Sequence, residues 1–222
     1  MPPEFRYAQF CAIARACEIV SSRWTLLLVR DLAAGPLRFS DLLRGQPGLS
    51  TSVLAERLEF LERHGVVEQR VLPPPAASAV YALTETGRAL RPVLAEMLRW
   101  GLRFMGNTLP DDHVEPRWIP VGLEVVARRG PTPARTIELR IAAEPDPLVV
   151  RVAGGPGGTR VLAEPGAADA VLEAAPRDVL LLAAGMLSAR DALAAGRIRA
   201  QGDLSALDEF AGLFELPVGN PT

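Results

Sequence analysis

Few residues in this 222-residue chain have the type and spacing needed to make or break bonds. The two cysteines, Cys11 and Cys17, are its best nucleophiles, and a thiol becomes reactive when a helix N-terminus or a nearby cation lowers its pKa. Cys11 opens a helical stretch with Arg15 one turn on, which makes it the candidate redox residue. The alternative is that both cysteines pack as small apolar groups. Two cysteines give no disulfide framework and suit a reducing cytoplasm. His64 and His113 are far apart and lack ligand-type neighbours, so no metal site is expected. The run Gly154-Gly155-Pro156-Gly157-Gly158 has no Lys and no Gly-Lys-Ser/Thr ending, so it reads as a hairpin, not a phosphate cradle. No nucleophile, base and orienting group can be paired on sequence grounds. No catalytic residue, no cofactor and no enzymatic activity are therefore expected.

What remains is the chemistry of binding. Residues 50–64 read as a helix with Ser50 as N-cap, Gly65 as the stop, and Leu54, Leu58 and Leu61 as one narrow buried stripe. Thr51, Ser52, Ala55 and Glu56 fall off that stripe near the N-terminal end, where small or polar groups can approach base edges in a major groove. Thr51, Ser52 and Glu56 are the candidates for base contact. The backbone N–H groups behind Ser50 suit a phosphate. Arg38, Arg57 and Arg70 are the candidates to neutralise phosphates, with surface ion pairs as the competing use of each.

These residues need elements to place them. Phe10 to Val20 reads as a helix, and Leu26 to Leu32, apolar nearly all round, as a buried one ended by Gly35-Pro36. Ser40 is placed as the N-cap of a short helix to Arg44. Val66–Val71 and Ala79–Leu83 read as strands joined by the proline-rich tip Leu72 to Ser78. Thr84 caps one long helix, Glu85 to Met105, with Leu90, Val93, Leu94, Met97 and Leu98 on its apolar face. Helix, helix, turn, helix, hairpin, helix is the winged helix-turn-helix order.

The second half reads as strands followed by helices, an α+β pattern. Strands are predicted at Trp118–Val126, Thr136–Ala143, Leu148–Val152, Arg160–Ala163 and Ala170–Ala174. Helices follow after Pro176, at Ser188–Ala195 and from about Leu204 to Leu213. The polar stretch Gly106 to His113 marks the boundary, giving domains 1–109 and 110–222. All 24 basic residues are Arg. Residues 1–109 hold 13 of them against 10 acidic groups, net +3, and residues 110–222 hold 11 against 16, net −5. That sign fits a DNA-binding first half. No apolar run is long enough to span a bilayer and no signal-peptide pattern opens the chain, so a cytoplasmic protein is expected.

The segment from Cys11 to about Gly101 resembles the HxlR family of winged-helix regulators. The resemblance rests on Arg23-Trp24-Thr25-Leu26-Leu27, on Gly35-Pro36-Leu37-Arg38-Phe39-Ser40-Asp41-Leu42, and on Pro47-Gly48-Leu49-Ser50. It continues through Leu54-Ala55-Glu56-Arg57-Leu58, Gly65-Val66-Val67 and Tyr81-Ala82-Leu83-Thr84-Glu85-Thr86-Gly87. It implies a homodimer on a pseudo-palindromic operator in double-stranded DNA, with an interface built from the N-terminal and last helices. On this chain those are Phe10 and Ile13 with Leu90, Leu94, Met97 and Leu98. Such proteins often carry an Arg before the second wing strand and a Glu-Tyr pair within it. Here Ser78 and Val80-Tyr81 stand there, so the wing contact falls to Ser78 without the expected cation.

The run Asp191 to Asp203, with its Ala-Leu, Gly-Arg, alternating strand and Gly-Asp, resembles the end of a sterol-carrier-type lipid-binding domain. That resemblance implies a five-stranded sheet covered by helices, with an apolar cavity between them. Val179, Leu182, Ala183 and Met186 are its candidate ligand-pocket residues. The resulting expectation is a DNA-binding transcriptional regulator, responsive to an apolar small-molecule effector. The alternative is a lipid carrier whose winged helix only dimerises.

Overall fold

The computed structural model describes residues 6–73, 77–105, 112–164 and 166–216. Two compact units divide the chain, Met1–Glu96 and Met97–Thr222. The expected boundary stretch lies mostly in 106–111, outside the described residues.

The first unit follows the chain as α1 (Ala12–Val20), α2 (Thr25–Ala33), α3 (Phe39–Arg44), α4 (Thr51–Arg63), β1 (Val67–Val71), β2 (Ala79–Leu83) and α5 (Glu85–Arg88), then enters α6 (Arg91–Gly101). Its core is built from Leu28, Val29 and Leu32 of α2, Leu42 of α3, and Leu54, Leu58 and Leu61 of α4, closed by Val66, Val67 and Leu83. β1 and β2 pair antiparallel from Val67↔Leu83 to Val71↔Ala79. Leu37 adds a one-residue rung, exchanging backbone hydrogen bonds with Tyr81 at 3.0 and 2.8 Å. The segment before α3 is thereby stitched to the wing.

Local chemistry explains the boundaries. Gly65, at φ +64°, ends α4 in a left-handed conformation that costs glycine nothing. Thr84 caps α5 by accepting from the Gly87 N–H at 3.1 Å while donating to the Gly65 carbonyl at 2.5 Å. The expected cap of α3 is corrected: the helix starts at Phe39 with Arg38 in the cap position, and Ser40 lies in the first turn. The expected single helix from Glu85 to Met105 is also corrected. It breaks at Ala89-Leu90, and Pro92, which has no N–H to donate, sits in the first turn of α6 where that loss is harmless. One 3₁₀ turn, Leu102–Phe104, follows.

The second unit is an α+β layer. Its elements are α7 (Trp118–Val126), β3 (Thr136–Ile141), β4 (Leu148–Ala153), β5 (Arg160–Leu162), β6 (Ala170–Ala174), α8 (Pro176–Ala183), α9 (Ala189–Ala194), β7 (Ile198–Gly202) and α10 (Ser205–Asp208), ending in a 3₁₀ turn at Phe210–Leu213. The five-stranded sheet has order β5-β4-β3-β6-β7, with β3 and β6 parallel and the other neighbours antiparallel. Trp118–Val126, expected as a strand, is a helix: Ile119, Leu123 and Val126 recur at i, i+4 and i+7 and are buried, and Pro120 is tolerated in its first turn. The fifth strand is instead β7, in the run that carries the sterol-carrier resemblance.

One face of the sheet is apolar. Ile137, Leu139, Ile141, Val150, Val152 and Leu172 join Val179 and Leu182 of α8, Leu123 of α7 and Phe210 in one buried cluster. The other face is a charge ladder, in which Glu173 pairs with Arg140 at 3.5 Å and with Arg199 at 3.9 Å. In the Gly-rich connection between β4 and β5, a side chain on Gly158 (φ +99°) would come within 2.5 Å of the Arg128 carbonyl. A close backbone crossing accounts for that glycine.

Candidate nucleic-acid interface

α4 is anchored by the buried stripe Leu54, Leu58 and Leu61, and its start is fixed by Ser50, whose Oγ accepts from the Val53 N–H at 3.3 Å. With the stripe inward, Thr51, Ser52, Ala55 and Glu56 are exposed. Ser52, Glu56, Glu59 and Arg63 run i, i+4, i+7 and i+11 along the side away from the core. Ser50 and Ser52 are linked through their hydroxyls at 3.2 Å. The N-terminal half of such a helix is the part that enters a major groove in helix-turn-helix proteins.

The expected phosphate ligands stand in different situations. Arg38 is exposed at the start of α3 and its guanidinium has no partner among the described residues. Ser40 is exposed in the same turn. Arg70 lies on β1, half exposed and paired with Glu68. Arg57 is drawn back: it donates to Ser22 Oγ at 2.9 Å, pairs with Glu56 and lies over the Phe60 ring, leaving its side chain 17% exposed. The partner Ser22 is 35 residues away, in the α1–α2 turn, where no local pattern could have pointed. Ser78 closes the base of the wing, its carbonyl accepting from the Leu72 N–H at 2.9 Å, while residues 74–76 of the expected tip lie outside the described residues.

A buried support sits behind this surface. Asp31 of α2, fully buried, accepts from Gln46 in the α3–α4 turn and from Arg30. Sequence reading passed over both polar partners, because a buried carboxylate and a turn glutamine carry no periodic signal.

The candidate interface residues separate into two faces of α6. Leu90, before the helix, and Leu94 pack on the core of the first unit, and Leu98 packs on that of the second. Met97 is exposed, and with it Val93 and Trp100, at i, i+4 and i+7. Val93 and Trp100 thus belong with Met97 on an outward apolar stripe that the sequence reading had not separated from the inward one. Trp100 is 62% exposed and meets Phe104 edge-on at 4.8 Å. Near the N-terminus, Phe10 and Ile13 are also exposed, Phe10 lying just before α1.

Cys11 is exposed in the N-cap position of α1 and Cys17 is half-buried. Arg15 is paired with Glu18 at 2.9 Å; that bond and the Tyr7 N–H hold the Glu18 carboxyl below its ordinary value. Of the candidate pocket residues, Val179, Leu182 and Ala183 are buried in the second unit's apolar cluster, and Met186, past the end of α8, is exposed. Among the described residues, no group of three or more His, Cys, Asp or Glu is placed to hold a metal ion, and no helix is long and apolar enough to cross a membrane.

Two family models match separate stretches of the chain. The HxlR-like helix-turn-helix family model matches residues 19–108, and the SCP-2 sterol transfer family model matches residues 126–215. The chain is 39% identical over 97 residues to the uncharacterized HTH-type transcriptional regulator YvaP of Bacillus subtilis, covering 44% of this chain and 90% of that protein. It is 39% identical over 99 residues to the HTH-type transcriptional regulator YodB of the same organism, covering 44% and 88%. The solved reduced form of YodB is 36% identical, with a TM-score of 0.39, covering 47% of this chain and 100% of that one.

Proposed function

Since this chain belongs to the HxlR-like helix-turn-helix family and is a DNA-binding transcriptional regulator, we propose that it works as a homodimer on a two-fold symmetric operator. The observation that carries the dimer is the outward stripe Val93, Met97 and Trp100 on α6, an apolar row that a folded chain leaves in water only at some cost. A second copy is the occupant that fits, because a two-fold interface pairs the same patch with itself. Phe10 and Ile13 add a further exposed apolar surface in the same unit as α4. Dimerisation would set two α4 helices into successive major grooves, about 34–36 Å apart.

The second unit, with its match to the SCP-2 family, would take an apolar small molecule against α8, with Val179, Leu182 and Ala183 as lining residues. Such a ligand acts by favouring one of two dimer arrangements. The protein would do this in the cytoplasm, by binding and without catalysis. Footprinting of the full chain on its own upstream region, together with sedimentation, tests the proposal. Two protected half-sites one helical turn apart and a dimer support it; a monomer protecting a single half-site removes the homodimer.

A further inference from the structure

The exposed N-terminal half of α4 holds no arginine, lysine, asparagine or glutamine directed outward: Thr51, Ser52, Ala55 and Glu56 face away from the core, and Arg57 is turned back to Ser22. Guanine is usually read by Arg or Lys at O6 and N7, and adenine by Asn or Gln at N6 and N7. Both habitual purine readers are missing. What this surface offers is two hydroxyls, two methyl groups and a carboxylate. The amino donors of the major groove are cytosine N4 and adenine N6. A carboxylate only accepts, so it suits cytosine N4, whereas adenine N6 stands beside the N7 acceptor and calls for a group that also donates.

Glu56 is well set for that contact. It lies one turn beyond Ser52 on the side opposite Leu54 and Leu58, and its side chain is 62% exposed. Its Oε1 takes a guanidinium hydrogen bond from Arg57, whose other nitrogen is fixed on Ser22 Oγ at 2.9 Å. The carboxylate is thus held from one side, and Oε2 has no partner among the described residues. The adjacent cation also offsets the repulsion a bare carboxylate would meet between two rows of phosphates.

We infer that Glu56 is a specificity-determining residue that accepts a hydrogen bond from a cytosine amino group, with Arg57 as its positioning residue. The inference rests on the DNA-binding reading and adds to it one base of each operator half-site. Selection of bound duplexes from a randomised pool, with the full chain as wild type and as Glu56→Gln, tests it. Glutamine offers the donor and acceptor that suit adenine. The wild-type motif should hold a cytosine at one position of each half-site. Glu56→Gln should move that position towards adenine, changing the cytosine-to-adenine ratio about tenfold, with the rest of the motif and the melting temperature unchanged. An unchanged motif overturns the inference. So does a variant that binds every duplex tighter by one common factor, since Glu56 would then only repel phosphates. A wild-type protein that enriches no motif overturns the DNA-binding reading itself, and the assignment with it.

Discussion

Gln46, in the turn between α3 and α4, donates its side-chain amide to the buried carboxylate of Asp31 at 2.6 Å. Arg30 donates to the other carboxylate oxygen at 3.0 and 3.1 Å. A carboxylate taken out of water is costly unless hydrogen-bonded, so these bonds decide whether the site is tolerated at all. They also tie α2 to the turn that sets the angle between α3 and α4. Gln46→Ala removes one donor to a charged acceptor and should lower stability by about 2 kcal/mol. Chemical denaturation of the full chain measures that loss. Operator affinity should fall as well, because the turn that aims α4 loses its anchor.

Gly87 explains why the Leu83-Thr84-Glu85-Thr86-Gly87 landmark ends in glycine. A Cβ there would lie 2.1 Å from the Val66 carbonyl oxygen, which itself accepts from the Thr84 N–H at 3.1 Å. Backbone must move to admit a methyl group, so Gly87→Ala should cost about 3 kcal/mol. Gly122, inside α7, meets nothing within 4 Å. Gly122→Ala should instead stabilise by about 0.5–1 kcal/mol through helix propensity. Thermal melting of the two variants should move in opposite directions.

Whether a feature could be read from the sequence followed the range of its cause. Ser50, Gly65 and Thr84 were legible because a cap acts within three residues of itself. Trp118–Val126 was not, because its aromatic and β-branched composition imitates a strand while its burial follows a helical period. On α6 both faces are apolar, and periodicity cannot say whether Leu94 and Leu98 or Val93 and Trp100 face inward. Tertiary contacts decided that. For Arg57 the sequence leaves phosphate contact and a surface ion pair open, because its charge is local whereas Ser22, its partner, lies in another turn.

Arg38 and Arg57 should therefore behave differently in binding assays. Arg38→Ala removes an exposed guanidinium and should weaken all duplexes alike, reducing the salt slope by about one. Arg57→Ala removes the link to Ser22 and the hold on Glu56. It should blur base preference while leaving the salt slope near the wild-type value. Titration of binding against salt concentration, on the selected operator and on a random duplex, separates the two.

Asp203 offers a pH test in the second unit. Its carboxylate accepts from Ser205 Oγ at 2.6 Å and from the Ser205 N–H at 3.0 Å, and these bonds, with Arg135 nearby, hold its pKa below the ordinary 3.8. A depressed carboxyl favours the folded state while ionised. Its contribution is present above the ordinary value and is lost as pH falls through the lowered one. Ser205→Ala should move the Asp203 pKa upward in an NMR titration of the side-chain carboxyl, and an unmoved pKa would refute the assignment.

The outward stripe of α6 gives the most direct test of assembly. Met97 and Trp100 are 44% and 62% exposed, so a charge at either position does not disturb the buried clusters of one chain. Leu94 packs on the first unit's core, and a charge there attacks folding before it attacks any interface. The two kinds of variant thus separate assembly from stability. Met97→Glu with Trp100→Glu should yield a monomer whose melting is cooperative and whose far-ultraviolet circular dichroism is unchanged. A monomer holds one half-site, so the affinity for a full operator should fall by at least about a hundredfold as the benefit of the second engagement disappears. Leu94→Glu should instead lower stability by about 3 kcal/mol. Sedimentation of the double variant beside the wild type decides the matter, and a variant that sediments as a dimer would move the proposed interface away from this face of α6.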